Sequence, residues 1–275
     1  MDNNLVKMQR TEFKMLEVID RICTSNNIQY YIAFGTLLGA VRHNGFIPWD
    51  DDIDITMPRP DYDRFVQICK KELNTPYQLN TIDQMQNGFC YYYSRVEDTS
   101  IKLERNATRK KMIVPVWVDI FPIDGAPSDK VEYNRWYKDI RKWKKVFLFS
   151  QYRYLSADEE NVKSSGWIKR VLRNAVYYLQ LDRLINTKWA WGKLDRLTRK
   201  YDYTKCDLVT TLTGRYGAKE VFDKSVFGEG HKYVFEGKEF FGPKNADLFL
   251  SQIYGDYMTL PPEKDRKQHN VKFVD

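Results

Sequence analysis

No two of the four cysteines, Cys23, Cys69, Cys90 and Cys206, form a CxxC pair, so the sequence indicates neither a zinc site nor a disulfide framework and suits a reducing cytosol. No run of about 18 apolar residues occurs, and Met1 to Lys7 lack the basic-then-apolar pattern of a signal peptide. A cytoplasmic protein is expected, with any membrane contact peripheral. There is no internal repeat and no recognised RNA- or DNA-binding signature, and residues 128 to 203 contain no proline. What remains is 43% hydrophobic and 29% charged, values of a globular chain, and 275 residues suffice for one large domain or two small ones. Aromatic residues reach 15%, and the net charge of +7 favours acidic partners such as phosphates, anionic lipid or nucleic acid. The excess is uneven: Arg135 to Lys145 is strongly basic, whereas Asp50-Asp51-Asp52-Ile53-Asp54 is the most acidic run.

Apolar spacing predicts a helix over 11–24, with Thr11 as N-cap and Asn26-Asn27 ending it. Ile28 to Phe34 is β-branched and aromatic, stops at Gly35, and precedes helix-forming Leu37 to Arg42, which gives strand, tight turn, helix. Ile53 to Met57 alternates as a strand, closed by Pro58 and Pro60 before an amphipathic helix through Phe65, Ile68 and Leu73. Val114 to Pro122 reads as another strand with an acid near its end. Residues 128–205 read as a basic helical insertion between a core at 1–127 and a return to that core at 206–275. In the latter, Leu208 to Leu212 is strand-like, turns fall at Gly228, Gly230 and Gly237, and a helix runs near Ala246 to Tyr254. Within the insertion, Trp136, Ile140, Trp143 and Phe147 recur at helical spacing among Lys and Arg. Such a stripe suits either the headgroup layer of a membrane or packing on the domain with a wet basic face.

Strand alternation would put Asp52 and Asp54 on one face, α-carbons roughly 6.5 to 7 Å apart, with Asp51 facing the other way. Adjacent carboxylates repel, and a divalent cation between them removes the conflict; Mg²⁺ takes oxygen ligands and combines one or two carboxylates with substrate phosphates. The bland alternative is a solvated Asp-rich turn, but the apolar flanks Trp49, Ile53 and Ile55 argue that the run enters a core. Gly35-Thr36 at a helix start would offer amides and a hydroxyl to a phosphate, though a plain helix cap has the same appearance. An anion site beside an Asp-x-Asp strand is the minimum equipment for phosphoryl chemistry. Asp119 is a candidate third carboxylate or an ordinary strand-end residue. Asp50 is a candidate for a second metal or for orienting a ligand, and Arg42 and His43 either meet a phosphate or are solvated.

The runs Phe34-Gly35-Thr36-Leu37-Leu38-Gly39-Ala40-Val41-Arg42-His43 and Gly45-Phe46-Ile47-Pro48-Trp49-Asp50-Asp51-Asp52-Ile53-Asp54 resemble the signature of the LicD family, related to fukutin-type ribitol-phosphate transferases. Val118-Asp119-Ile120-Phe121-Pro122 and the tail Tyr254 to Pro262 match further, so that the resemblance spans most of the chain outside the insertion. It implies an α/β (α+β) nucleotidyltransferase fold, a mixed sheet flanked by helices, with the Gly-Thr turn and Asp52, Asp54 and Asp119 around Mg²⁺. It implies also a CDP-activated donor, CDP-choline being commonest in bacterial LicD proteins, and a polyol or sugar acceptor such as a lipid-linked glycan or teichoic-acid precursor. Phosphocholine transfer with release of CMP is the resulting expectation. Transfer of another CDP-linked group such as glycerol phosphate, or a basic nucleic-acid-binding role, are the competing readings; the latter leaves the acidic run unexplained. Tyr91-Tyr92-Tyr93, Trp49 and Trp117 are candidates to face a quaternary ammonium, each with core packing as the alternative.

Overall fold

The computed structural model describes residues 3–82, 91–105, 112–154, 167–211, 215–266 and 271–274. Cys90 and Leu212 lie outside them. Helix α1 (Asn3–Ser25) opens well before Thr11, because Leu5 and Met8 extend the buried stripe of Met15, Leu16, Ile19, Ile22 and Cys23 upstream. Thr11 is therefore no N-cap; it is interior, and its hydroxyl donates to the Lys7 carbonyl at 2.9 Å. Strand β1 (Tyr31–Ile32) is shorter than the aromatic run suggested. The run breaks at Phe34, whose φ of 47° is rare for a bulky residue, and the same residue opens α2 (Phe34–His43). Rings of Phe121, Tyr216 and Phe249 at 5.7 to 5.9 Å hold it there.

Strand β2 (Asp54–Pro58) leads into α3 (Arg59–Glu72), with Pro60 in its first turn, where a missing N–H costs nothing. Next come β3 (Tyr77–Asn80), β4 (Ser94–Arg105) and β5 (Met112–Ala126), the last longer at both ends than expected. Helices α4 (Lys130–Phe149), α5 (Trp167–Tyr178) and α6 (Thr187–Thr198) occupy the predicted helical stretch. The chain then gives β6 (Leu208–Thr210), β7 (Val221–Asp223), β8 (His231–Phe235), β9 (Lys238–Gly242), α7 (Ala246–Tyr254) and β10 (Val271–Val274). Gly228, Gly230 and Gly237 all take positive φ, as their turns require.

The sheet runs β1-β2-β5-β4-β10, with β3 also on β4, β6 on the far end of β5, and β7 on β6. Among the described residues, only β2 and β5 pair in parallel; the other ladders are antiparallel. This is a mixed sheet flanked by helices, the α+β architecture expected. The main core lies where α1, α2, α3 and α7 cover the sheet, and a second cluster joins α4 to α6. Trp136, Ile140 and Phe147 are buried in that second cluster against Ala190 and Leu194, and Trp143 meets Trp189 at 5.2 Å. The stripe of α4 is thus internal, which settles its two readings in favour of packing on the protein. Among the described residues, no helix is long and apolar enough to cross a membrane, and Cys23, Cys69 and Cys206 are free.

Candidate functional site

Parallel pairing of β2 with β5 sets Asp54 directly opposite Asp119, on strands about 4.8 Å apart. The Asp119 amide donates to the Ile53 carbonyl at 3.0 Å, continuing the ladder upstream of β2. Asp52 lies in that irregular run-in rather than on the strand, so the turn before β2 places it, not strand alternation. Ile53 and Ile55 are fully buried, as expected of a run that enters the core. The half-buried Asp54 carboxyl is held well above the usual carboxylate range, first by desolvation and then by Asp52, Asp119 and Asp50, with Arg95 pulling the other way. Four acidic side chains therefore share one neighbourhood.

Helix α2 starts beside them. Its first amides, those of Phe34, Gly35 and Thr36, have no acceptor within the helix. The Thr36 hydroxyl accepts the Asp54 amide at 2.8 Å, so this buried side chain ties the helix start to β2 and keeps only its own proton to offer elsewhere. A Cβ on Gly35 would lie 2.6 Å from Asp50 Oδ2; glycine stands there because a carboxylate packs against the backbone. Arg42 points its guanidinium to the Tyr257 carbonyl at 2.7 Å and to His43 at 3.0 Å, tying α2 to the C-terminal segment.

Three parts of the site escaped the sequence reading. Arg95 on β4 sits across from Asp119 in the ladder and grips it at 2.5 Å, while the Tyr93 hydroxyl donates to the same carboxylate at 3.4 Å. Burial alone would lower the Arg95 pKa, but Asp119 and the nearby tyrosines outweigh it and the guanidinium stays charged. The ring of Tyr91 lies 3.4 Å from that guanidinium, Trp117 4.4 Å and Tyr93 5.8 Å. Lys144 stands over Tyr92 at 4.5 Å and Arg266 over Trp49 at 4.5 Å. Every aromatic residue considered for a quaternary ammonium thus already faces a cation of this chain. Tyr216 and Tyr254, edge to face at 5.3 Å, form another wall; burial raises both, and Asp54 and Asp50 add to the rise.

The third is Glu12, on the inner face of α1. It is fully buried and neither carboxylate oxygen has a hydrogen-bond partner. Burial pushes its pKa far up, and Asp52, Asp51, Asp50 and Asp119 push it further. Asp51, expected to face away, is buried and belongs to this surrounding. An all-oxygen donor set burdened by its own negative charge suits a hard divalent cation. Among the described residues, no group of three or more such side chains is placed so that it could hold a metal ion as it stands.

The chain matches the family described as "LicD/FKTN/FKRP, nucleotidyltransferase domain" over residues 27–155. It is 31% identical over 270 residues to the lipopolysaccharide cholinephosphotransferase LicD of Haemophilus influenzae, covering 98% of this chain and 96% of that protein. Shorter matches are to uncharacterised proteins of Rickettsia prowazekii, 35% identical over 98 residues (29% of this chain, 36% of that one), and Rickettsia typhi, 42% identical over 67 residues (24% and 22%). With near-complete coverage of a relative at that identity, and with the Asp54 and Asp119 neighbourhood inside the matched segment, the chain belongs to the LicD family.

Proposed function

We propose that this protein is a phosphotransferase that moves phosphocholine from CDP-choline to a hydroxyl of a cell-surface glycan precursor, lipid-linked or teichoic-acid-like, and releases CMP. The observation that carries this reading is the Asp54–Asp119 register beside the first turn of α2. The Haemophilus relative is by its name a cholinephosphotransferase acting on lipopolysaccharide, which supports the transferred group and the acceptor class. In this reading Asp52, Asp54 and Asp119, with Asp50, would hold Mg²⁺, which when bound would offset the charge of the donor diphosphate.

The chain's own residues supply positioning. Gly35 and Thr36 present amides at a helix start, where a phosphate is stabilised by unpaired N–H groups and the helix dipole. Arg95 and Tyr93 fix the Asp119 carboxylate from the β4 side, so that it is oriented before donor arrives. The acceptor oxygen attacks the phosphorus bearing choline, the bond to the bridging oxygen of CMP breaks, and the hydroxyl proton passes to a site carboxylate or to water. Phosphoryl transfer asks little covalent chemistry of a protein, so orientation and charge account for most of the rate. A lipid-linked acceptor would place the enzyme at the cytoplasmic face of the membrane.

Phosphorus NMR of the purified chain with acceptor, CDP-choline and Mg²⁺ tests this. The diphosphate signals should give way to CMP and a phosphodiester, and Asp54→Asn and Asp119→Asn should each slow the conversion by 100-fold or more, an order set by loss of a charge-stabilising group. Consumption of CDP-glycerol in preference to CDP-choline would move the donor assignment to another CDP-linked group. Pyrophosphate released from CTP would replace the reading with nucleotidyl transfer.

A further inference from the structure

Glu12 interrupts an otherwise apolar stripe, Met8, Glu12, Met15, Leu16 and Ile19, all of it buried on one face of α1. A carboxylate there is costly, since burying an ionisable group without partners disfavours the folded state. The chain satisfies its other buried glutamates. Glu97 accepts from Gln78 at 2.9 Å and Asn80 at 2.8 Å. Glu220 accepts from the Thr211 hydroxyl and from the amides of Tyr216 and Gly217. Only Glu12 among these three is left with both oxygens bare. One turn earlier, Gln9 donates to the Asp50 carbonyl at 2.8 Å, which pins this part of α1 against the acidic run. The charges that bear on Glu12 are those of Asp52, Asp51, Asp50 and Asp119, all of the same sign.

A fully buried carboxyl group with no donor, on a helix that Gln9 ties to the Asp50 backbone, is explained by a positive charge arriving from outside the chain. We propose that Glu12 is a further acidic member of the divalent-cation site, closing it from the α1 side and raising its affinity for the ion. The inference rests on the cation reading given above but adds a residue outside the segment matched by the family, residues 27–155. Its class of ligand is a hard divalent cation, held directly or through a water, because carboxylates offer only oxygen donors. It also assigns α1 a role beyond packing: the helix carries one wall of the site.

The test measures Mn²⁺ binding to the full chain by electron paramagnetic resonance of the free ion, with no nucleotide and no turnover. Glu12→Gln keeps shape and removes charge. The expected result is a Kd for Mn²⁺ at least tenfold weaker than that of the unsubstituted chain, with Glu12→Asp between the two. In metal-free buffer the Gln variant should unfold at the same temperature or higher, since a group kept for a cation burdens the metal-free fold. A Kd within twofold of the unsubstituted chain would overturn the role of Glu12 while leaving the cation site standing. A Gln variant that is less stable or unfolded without metal would overturn it too, by making the carboxylate structural. Absence of Mn²⁺ binding by the unsubstituted chain would remove the cation reading and this inference together.

Discussion

Gly35 and Gly39 lie one helical turn apart on α2, yet an added methyl would meet different obstacles. At Gly35 it meets the tip of the Asp50 side chain, 2.6 Å away, which can swing aside. At Gly39 it would collide with the Gly45 carbonyl, which is backbone and cannot. Gly35→Ala should therefore fold, with a melting temperature within a few degrees of the unsubstituted chain, because a cost below about 1 kcal/mol shifts it by only that much. Its transfer rate should fall by tenfold or more as Asp50 is displaced; an unchanged rate would separate Asp50 from the chemistry. The acidic run and the Gly-Thr turn were legible in the sequence because local spacing defines them. Arg95 and Glu12 were not, and Tyr93 was legible only as a face for a quaternary ammonium, not as a partner of Asp119. Arg95 reaches Asp119 only through the β4–β5 ladder, and Glu12 was passed over because the helix was started at Thr11, which hid the break that it makes in the stripe.

The junction between α2 and β2 is where elements govern the site. Helix α2 ends at Asn44 in the left-handed conformation, and the Gly45 amide donates back to the Gly39 carbonyl. Gly39 is tight on that return, so Gly39→Ala should lower stability by about 1–3 kcal/mol, the usual cost of overpacking. A urea midpoint shifted by the matching amount, at unchanged slope, checks it; no shift would mean that the loop yields freely. Strand–turn–helix was foreseen here, but its hinge was placed at Gly35, whereas the positive φ falls on Phe34. Sequence rules favour glycine at such a position. Three surrounding rings from β5, the segment before β7, and α7 override them, and those partners are brought in by tertiary packing alone.

At the scale of the whole molecule, α4 spends its apolar face on α6, so binding to a membrane cannot use that stripe. Trp136, which also donates to the Leu197 carbonyl at 2.7 Å, is a strut between the two helices. Trp136→Ala should cost about 3–5 kcal/mol in chemical denaturation, and the folded variant should match the unsubstituted chain in whatever sedimentation with anionic vesicles that chain displays. Loss of sedimentation with stability intact would reverse that assignment and return the stripe to the bilayer. Periodicity alone could not decide this, because a stripe for α6 and a stripe for lipid look the same in one dimension. The tail and the front of the chain are also clasped together: Gly228 accepts from Gln29 and Tyr31, the Glu236 amide donates to Asn44, and Tyr257 accepts from Arg42. These contacts all brace α2 and β1, the elements that carry the Gly-Thr turn. During synthesis at about 5–20 residues per second, the front of the chain must therefore wait many seconds for its braces. Until then the acidic run has emerged without the frame that confines it, exposed to any divalent ion or chaperone in the surrounding cell.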